Sequence, residues 1–225
     1  MRRLRLDRAG WPFIASFAVP AALLAARGHR RWAVPFAALA GYLGLFFRDP
    51  DRSCDVPMPD VLASDPDAAP DPDAVLAPAD GVVVVAGDPE PGVPPAGHWR
   101  QVSIFLSPVD VHVNRSPYGG RVTRTTYRPG RFLAAFTDAA AAENERTEIW
   151  LDAAAGRTIV FRQVVGFLAR RIVLRVSAGD QLHAGQRIGL MKFGSRMDVF
   201  VPRDCTVVVN RGDRVRGGES VIARW

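Results

Sequence analysis

Three short segments hold the residue types with which a chain can cut itself or move a proton. The first, Leu190–Pro202, has Gly194-Ser195 near its middle. A serine hydroxyl can attack the carbonyl of the residue before it. A glycine there puts no side chain against the tetrahedral carbon and accepts strained backbone angles. The pair is not a Gly-x-Ser-x-Gly elbow, because Phe193 and Met197 stand where that motif needs glycine. In the second segment, Leu106–Pro117, an extended backbone would point Asp110 and His112 to one face, and His112 has the chemistry of a general base. In the third, Ala77–Gly81, Asp80 is able to orient a histidine, the part played by the third member of a triad. Each alone also reads as ordinary structure: a Gly-Ser turn, a hydrogen-bonded histidine, an Asp-Gly turn.

The elements that must position these residues are mostly strands. From residue 80 onward, short β-rich runs are punctuated by Gly, Pro and Asp. Candidates are Gly81–Ala86, Val102–Leu106, Arg121–Tyr127, Glu148–Leu151, Thr158–Val164, Ile172–Val176, Met197–Val201 and Thr206–Asn210. Helices are expected over Arg131–Ala142 and, briefly, Gln163–Arg170. The body is therefore mainly β. Residues 178–185 (AGDQLHAG) echo residues 211–218 (RGDRVRGG) at an offset of 33. In both, Gly-Asp is followed by an apolar residue two positions on, and then by a small residue and Gly, as in tight turns. Such a pair predicts pseudo-symmetric hairpins of the barrel-sandwich kind seen in lipoyl and biotinyl domains.

The first 52 residues differ. Residues 11–26 and 32–47 carry no charge and are separated by a short basic loop, residues 27–31. As helices each would span about 24 Å, short of the roughly 30 Å hydrocarbon layer. With Trp11, Trp32 and Tyr42 near their ends, they read as an apolar helical hairpin embedded in one leaflet or barely crossing. A cleaved signal peptide is disfavoured by the second apolar run. Residues 53–77, rich in Asp and Pro, read as a linker or loop, and residues 78–225 as the β-rich domain.

Composition excludes other classes. The formal charge is +6, and 28 of the 29 basic residues are arginine. The arginines of residues 1–52 flank apolar runs, and the later ones form no basic run interleaved with aromatics, so no nucleic-acid partner is expected. Two cysteines and four histidines leave little material for a disulfide scaffold or a metal centre.

Taken in order, APADG (77–81), DVHVNRSP (110–117), ENER (143–146), QVVGFLARR (163–171) and FGSRMDVFVP (193–202) resemble the phosphatidylserine decarboxylases, in particular their short bacterial and archaeal form. The apolar N-terminus ending in Phe46-Phe47-Arg48-Asp49-Pro50 fits as well. The resemblance implies an inactive proenzyme in which Ser195 attacks the Gly194 carbonyl. Elimination then gives a β chain, residues 1–194, and an α chain, residues 195–225, whose first residue becomes a pyruvoyl group. It implies that Ser195, His112 and Asp80 are the catalytic residues. The pyruvoyl at position 195 would form a Schiff base with phosphatidylserine and release CO2 and phosphatidylethanolamine, without metal or pyridoxal phosphate. Phosphatidylserine, bilayer lipid and the paired α and β chains would be the partners, at the inner cell membrane, with the domain peripheral or monotopic and on the cytoplasmic side. A homo-oligomer is left open.

Two positions depart from longer relatives. Arg115 stands where many have a second histidine, and Arg196 where many have Ser or Thr after the reactive serine. Both arginines are candidates for contact with the substrate's carboxylate or phosphate. Two rival readings stand beside this one. Lys192, the only lysine, follows Met191 as in a biotinyl or lipoyl carrier, although Phe193 replaces the second methionine of the usual signature. The other rival is a membrane-anchored β protein without catalysis.

Overall fold

A computed structural model describes residues 4–52, 71–135, 137–153, 156–167, 171–193 and 195–225. The chain divides into two units, Met1–Asp51 and Arg52–Trp225.

In the first unit, β1 (Leu4–Leu6) pairs antiparallel with β2 (Arg48–Pro50) and brackets helices α1 (Trp11–Ala26) and α2 (Arg30–Phe46). Gly28, with φ 81, turns the chain between the helices. A methyl at Gly10 would fall 2.4 Å from the Phe47 ring, so only glycine lets that ring close against the start of α1. Phe13 stacks on the same ring at 5.6 Å between centroids. Trp11, Leu23, Trp32, Val34 and Leu45 are exposed. The helical stretch Arg8–Ala26, 19 residues with a mean hydropathy of 1.6, is long and apolar enough to cross a membrane.

The second unit is mainly β, as the sequence pattern predicts. Its principal sheet is antiparallel with strand order β11-β7-β8-β9-β13-β5-β4-β15. The strands are β4 (Gly81–Gly87), β5 (Trp99–Leu106), β7 (Gly120–Arg128), β8 (Arg146–Asp152), β9 (Thr158–Val165), β11 (Gln181–Leu182), β13 (Ser195–Pro202) and β15 (Arg214–Val215). Two three-stranded sheets complete it. One joins β6 (Val113–Arg115), β10 (Ile172–Leu174) and β12 (Arg187–Met191); the other joins β3 (Ala74–Leu76), β14 (Thr206–Val207) and β16 (Val221–Arg224). Apolar residues of all three sheets, among them Leu76, Ile104, Phe161, Ile188, Met197 and Ile222, form one buried core.

The echo in the sequence is a pseudo-twofold in the fold. Gly212 N–H donates to Val83 O at 2.8 Å, and Gly179 N–H to Val122 O at 2.7 Å. Gly218 N–H donates to Ala77 O, and Gly185 N–H to Ser116 O, both at 2.8 Å. Asp213 and Asp180 each accept the backbone N–H three residues earlier, at 2.8 and 2.9 Å. Even the bulges correspond, between Val83 and Val85 in β4 and between Val122 and Arg124 in β7. The repeats thus supply the outermost strands, β11 and β15, at opposite ends of the principal sheet, and their turns approach one another at Gly185 and Gly218. This symmetry is compatible with a barrel-sandwich arrangement of the lipoyl and biotinyl type.

Both helix expectations need correction. Gln163–Val165 ends strand β9, and residues 168–170 lie outside the described residues. Residues 159–165 are buried whichever face they point to, and this β-branched run pairs on both sides, which a helix could not satisfy. Of Arg131–Ala142, only the last residues are helical, in α3 (Asp138–Glu143). The Asn144 side chain bonds both backbone groups of Leu133, each at 2.9 Å, and holds that stretch extended. Arg52 and residues 71–77, read from the sequence as hairpin end and linker, pack in the β unit. Most of the linker, residues 53–70, lies outside the described residues.

Candidate active site

Ser195 is the first residue of β13 and pairs with Leu106 of β5 on one side and Val165 of β9 on the other. It is fully buried on the core face, and its Oγ has no hydrogen-bond partner among the described residues. Two residues earlier, Phe193 has φ 69, the only positive φ among the described non-glycine residues. A bulky side chain in that region costs about 1–3 kcal/mol. Gly194, the expected scissile carbonyl, lies outside the described residues.

His112 is buried, and its Nδ1 stands 2.9 Å from the Asp110 backbone oxygen. A carbonyl only accepts, so Nδ1 carries the proton and Nε2 is the basic nitrogen. The segment before it is a turn rather than a strand. The Asp110 carboxylate accepts from Ser107 N–H (2.9 Å), from Ser107 Oγ–H (2.6 Å) and from Arg214 (2.9 Å). That clamp fixes the carbonyl that fixes the ring. Beyond His112 the chain enters β6, which pairs with β12.

Asp80 uses its carboxylate elsewhere. Oδ1 accepts the Gly217 N–H at 2.8 Å, and Oδ2 pairs with Arg52 at 2.7 Å; Arg52 also reaches Glu219 at 3.3 Å. Among the described residues the carboxylate has no hydrogen bond to His112. The link between the two segments is the main chain: Arg115 N–H donates to Pro78 O at 2.8 Å. Arg115 is buried, and its guanidinium donates to Gly185 O at 3.0 Å.

Arg196 lies on the other face of the sheet from Ser195, as strand alternation demands. It is 1% exposed and donates to Asp198 (2.6 Å), to Ser103 Oγ (2.9 Å) and to Glu90. Lys192 lies between β12 and β13, which belong to different sheets. It is therefore not at the tip of a hairpin, where a carrier would present its lysine.

Two buried amides, Asn114 of DVHVNRSP and Gln163 of QVVGFLARR, meet near Ser195, a contact that neither motif signals by itself. Gln163 Nε2 donates to Asn114 Oδ1 at 2.9 Å, with both side chains fully buried. Asn114 Nδ2 and Gln163 Oε1 have no partner among the described residues. Gln163 pairs with Met197, so it shares a face with Ser195, one diagonal step away. The core near Ser195 therefore holds unused donor and acceptor capacity in a water-poor setting, where a hydrogen bond to a developing charge gains most.

A family model described as phosphatidylserine decarboxylase matches residues 42–223. A phosphatidylserine decarboxylase proenzyme of Symbiobacterium thermophilum is 42% identical over 224 residues, covering 100% of this chain and 97% of its own length. Proteins with the same description from Paramagnetospirillum magneticum and Magnetococcus marinus are each 41% identical, over 97% and 96% of this chain and 86% and 93% of theirs.

Proposed function

The chain belongs to the phosphatidylserine decarboxylase family, and on that premise we propose that it is made as a proenzyme, cuts itself between Gly194 and Ser195, and decarboxylates phosphatidylserine to phosphatidylethanolamine at a membrane. The observation that carries this reading is the buried, unpartnered hydroxyl of Ser195, two residues beyond the strained Phe193.

In the cleavage, Ser195 Oγ attacks the Gly194 carbonyl and the peptide nitrogen leaves, giving an ester. His112 Nε2 takes the hydroxyl proton in the first step and passes it to the departing peptide nitrogen, which leaves as the amine. Removal of the Ser195 Cα proton then breaks the Cβ–O bond, and the Gly194 carboxylate departs with the electron pair. Water releases the nitrogen of the resulting dehydroalanine as ammonia, leaving a pyruvoyl group at residue 195. The strands on either side of Ser195 hold it still, which lowers the entropic cost of an intramolecular attack.

The buried setting suits a small carbonyl group at this position, because Asn114 Nδ2 is a buried donor without a partner among the described residues. A pyruvoyl carbonyl supplies an electron sink for the pair left when CO2 departs. Asp80 serves as a positioning residue: it ties Gly217 and Arg52 to the segment whose Pro78 carbonyl holds the strand following His112. The apolar helix at Arg8–Ala26 brings the enzyme to its lipid.

Intact-mass measurement of the detergent-purified chain tests the reading. The wild type should appear as residues 1–194 and a pyruvoyl-blocked 195–225, converting phosphatidylserine in mixed micelles. Ser195→Ala should remain one chain without activity. A wild type that stays whole after long incubation would overturn it.

A further inference from the structure

The face of the principal sheet opposite Ser195 carries a cavity of about 760 Å³ between β7, β8, β9 and residues 92–96. Arg124, Arg128, Arg146 and Arg162 line it, with Glu148 as the only carboxylate and Trp150 as a wall. Ser195 pairs with Val165, three residues from Arg162, so alternation puts this cavity behind the sheet from the candidate active site.

The positive charge is not balanced. Glu148 is committed to Arg162, whose Nε donates at 2.7 Å, and to the Trp150 indole N–H at 2.7 Å. Arg124 lies over the Trp150 ring at 4.3 Å and stands 3.9 Å from Glu148. Among the described residues the Arg146 guanidinium donates only to the carbonyls of Ala142 (2.7 Å) and Asn144 (3.2 Å), and its buried Nε has no partner. Arg128 has no hydrogen-bond or ion-pair partner among the described residues. Burial lowers the Arg146 pKa, repulsion from Arg162 and Arg128 lowers it further, and Glu148 and Asp198 do not offset the loss. Arg162 is neutralised by Glu148, but Arg146 has a buried Nε and no carboxylate of its own among the described residues, and enclosing a charge without an anion is costly.

We propose that this cavity is a binding site, separate from the substrate site, for a phosphate-bearing anion held by Arg128 and Arg146 with Arg124 at its rim. Guanidinium forks match phosphate oxygens two at a time, and Arg146 Nε is the donor still waiting for one. The cavity is large enough for a phosphoester rather than the bare ion alone. A lipid headgroup and a soluble phosphate present the same chemistry here.

Calorimetric titration of the full chain in neutral detergent separates these sources, with inorganic phosphate in one arm and short-chain phosphatidic acid in the other. Saturable binding at one site in either arm is expected, weakened about tenfold or more by Arg128→Gln and by Arg146→Gln and retained in Ser195→Ala. Tighter binding of phosphatidic acid assigns the site to lipid, and equal binding assigns it to soluble phosphate. Arg128 is exposed and its side chain makes no hydrogen bond among the described residues, so Arg128→Gln should keep the wild-type Tm and remains interpretable if Arg146→Gln unfolds. No saturable binding in either arm, or equal binding by wild type and Arg128→Gln, would overturn the assignment. Because Ser195→Ala is included, the outcome does not depend on the self-cleavage reading.

Discussion

Ser195 and Arg196 are adjacent in the chain and serve opposite faces of one sheet. The serine faces the apolar core with an unpartnered hydroxyl, while the arginine is locked behind it by Asp198, Ser103 and Glu90. One peptide unit thus joins the reactive position to a buried ionic anchor. Any movement of β13 must break that anchor or carry it along.

Arg196 is therefore expected to act through stability. Arg196→Met leaves Asp198 fully buried without its cation, and breaking a buried pair in this way costs about 3–5 kcal/mol. Urea unfolding of the uncleavable Ser195→Ala background should show a loss of that size. An unchanged midpoint would mean that Arg196 holds nothing in place.

His112 is expected to carry its proton on Nδ1, because the Asp110 carbonyl can only accept. Nitrogen NMR of the Ser195→Ala proenzyme with labelled histidine should report that tautomer at neutral pH. His112→Gln should slow self-cleavage by about 10²–10⁴-fold, the usual worth of a general base. Cleavage at the wild-type rate would remove His112 from the first step.

The amide pair makes a double-mutant test. Gln163→Leu leaves Asn114 buried with no partner and should cost about 1–3 kcal/mol, as should Asn114→Leu alone. The double variant should be less destabilised than the sum of the two, since no orphan remains. Strict additivity would show that the bond at 2.9 Å contributes nothing.

Glu148 gives the fold a defined acid sensitivity. Burial alone would raise its pKa, but the Trp150 N–H and Arg162 outweigh burial and hold it below the ordinary carboxylate value. A depressed folded-state pKa stabilises above the unfolded value, about 4.3, and the contribution fades as pH falls through the folded value. Glu148→Gln should thus cost about 3–5 kcal/mol at neutral pH, a gap that narrows below about pH 4. Unfolding free energies measured from pH 7 to pH 3 check this; a gap independent of pH would contradict it.

Local pattern fixed much of what matters here. Gly-Asp turns at an offset of 33 identified the two repeats, because a turn needs only its own few residues to be specified. Uncharged runs marked both helices of the first unit, and β-rich runs punctuated by Gly, Pro and Asp marked most strands. The order of short motifs carried the family resemblance, including the positions of Ser195, His112 and Asp80. Other features depended on pairing between residues far apart in the chain. Residues 163–165 became strand because β8 and β13 lie on either side of them. The Nδ1 partner of His112 is a carbonyl two residues away, reachable only because Ser107 and Arg214 clamp Asp110 into a turn. The partner of Asp80 came from Arg52 and Gly217, and the arginine cavity from three neighbouring strands. Spacing along the chain sets which face a side chain takes; only the assembled sheet sets which distant charges that face will meet.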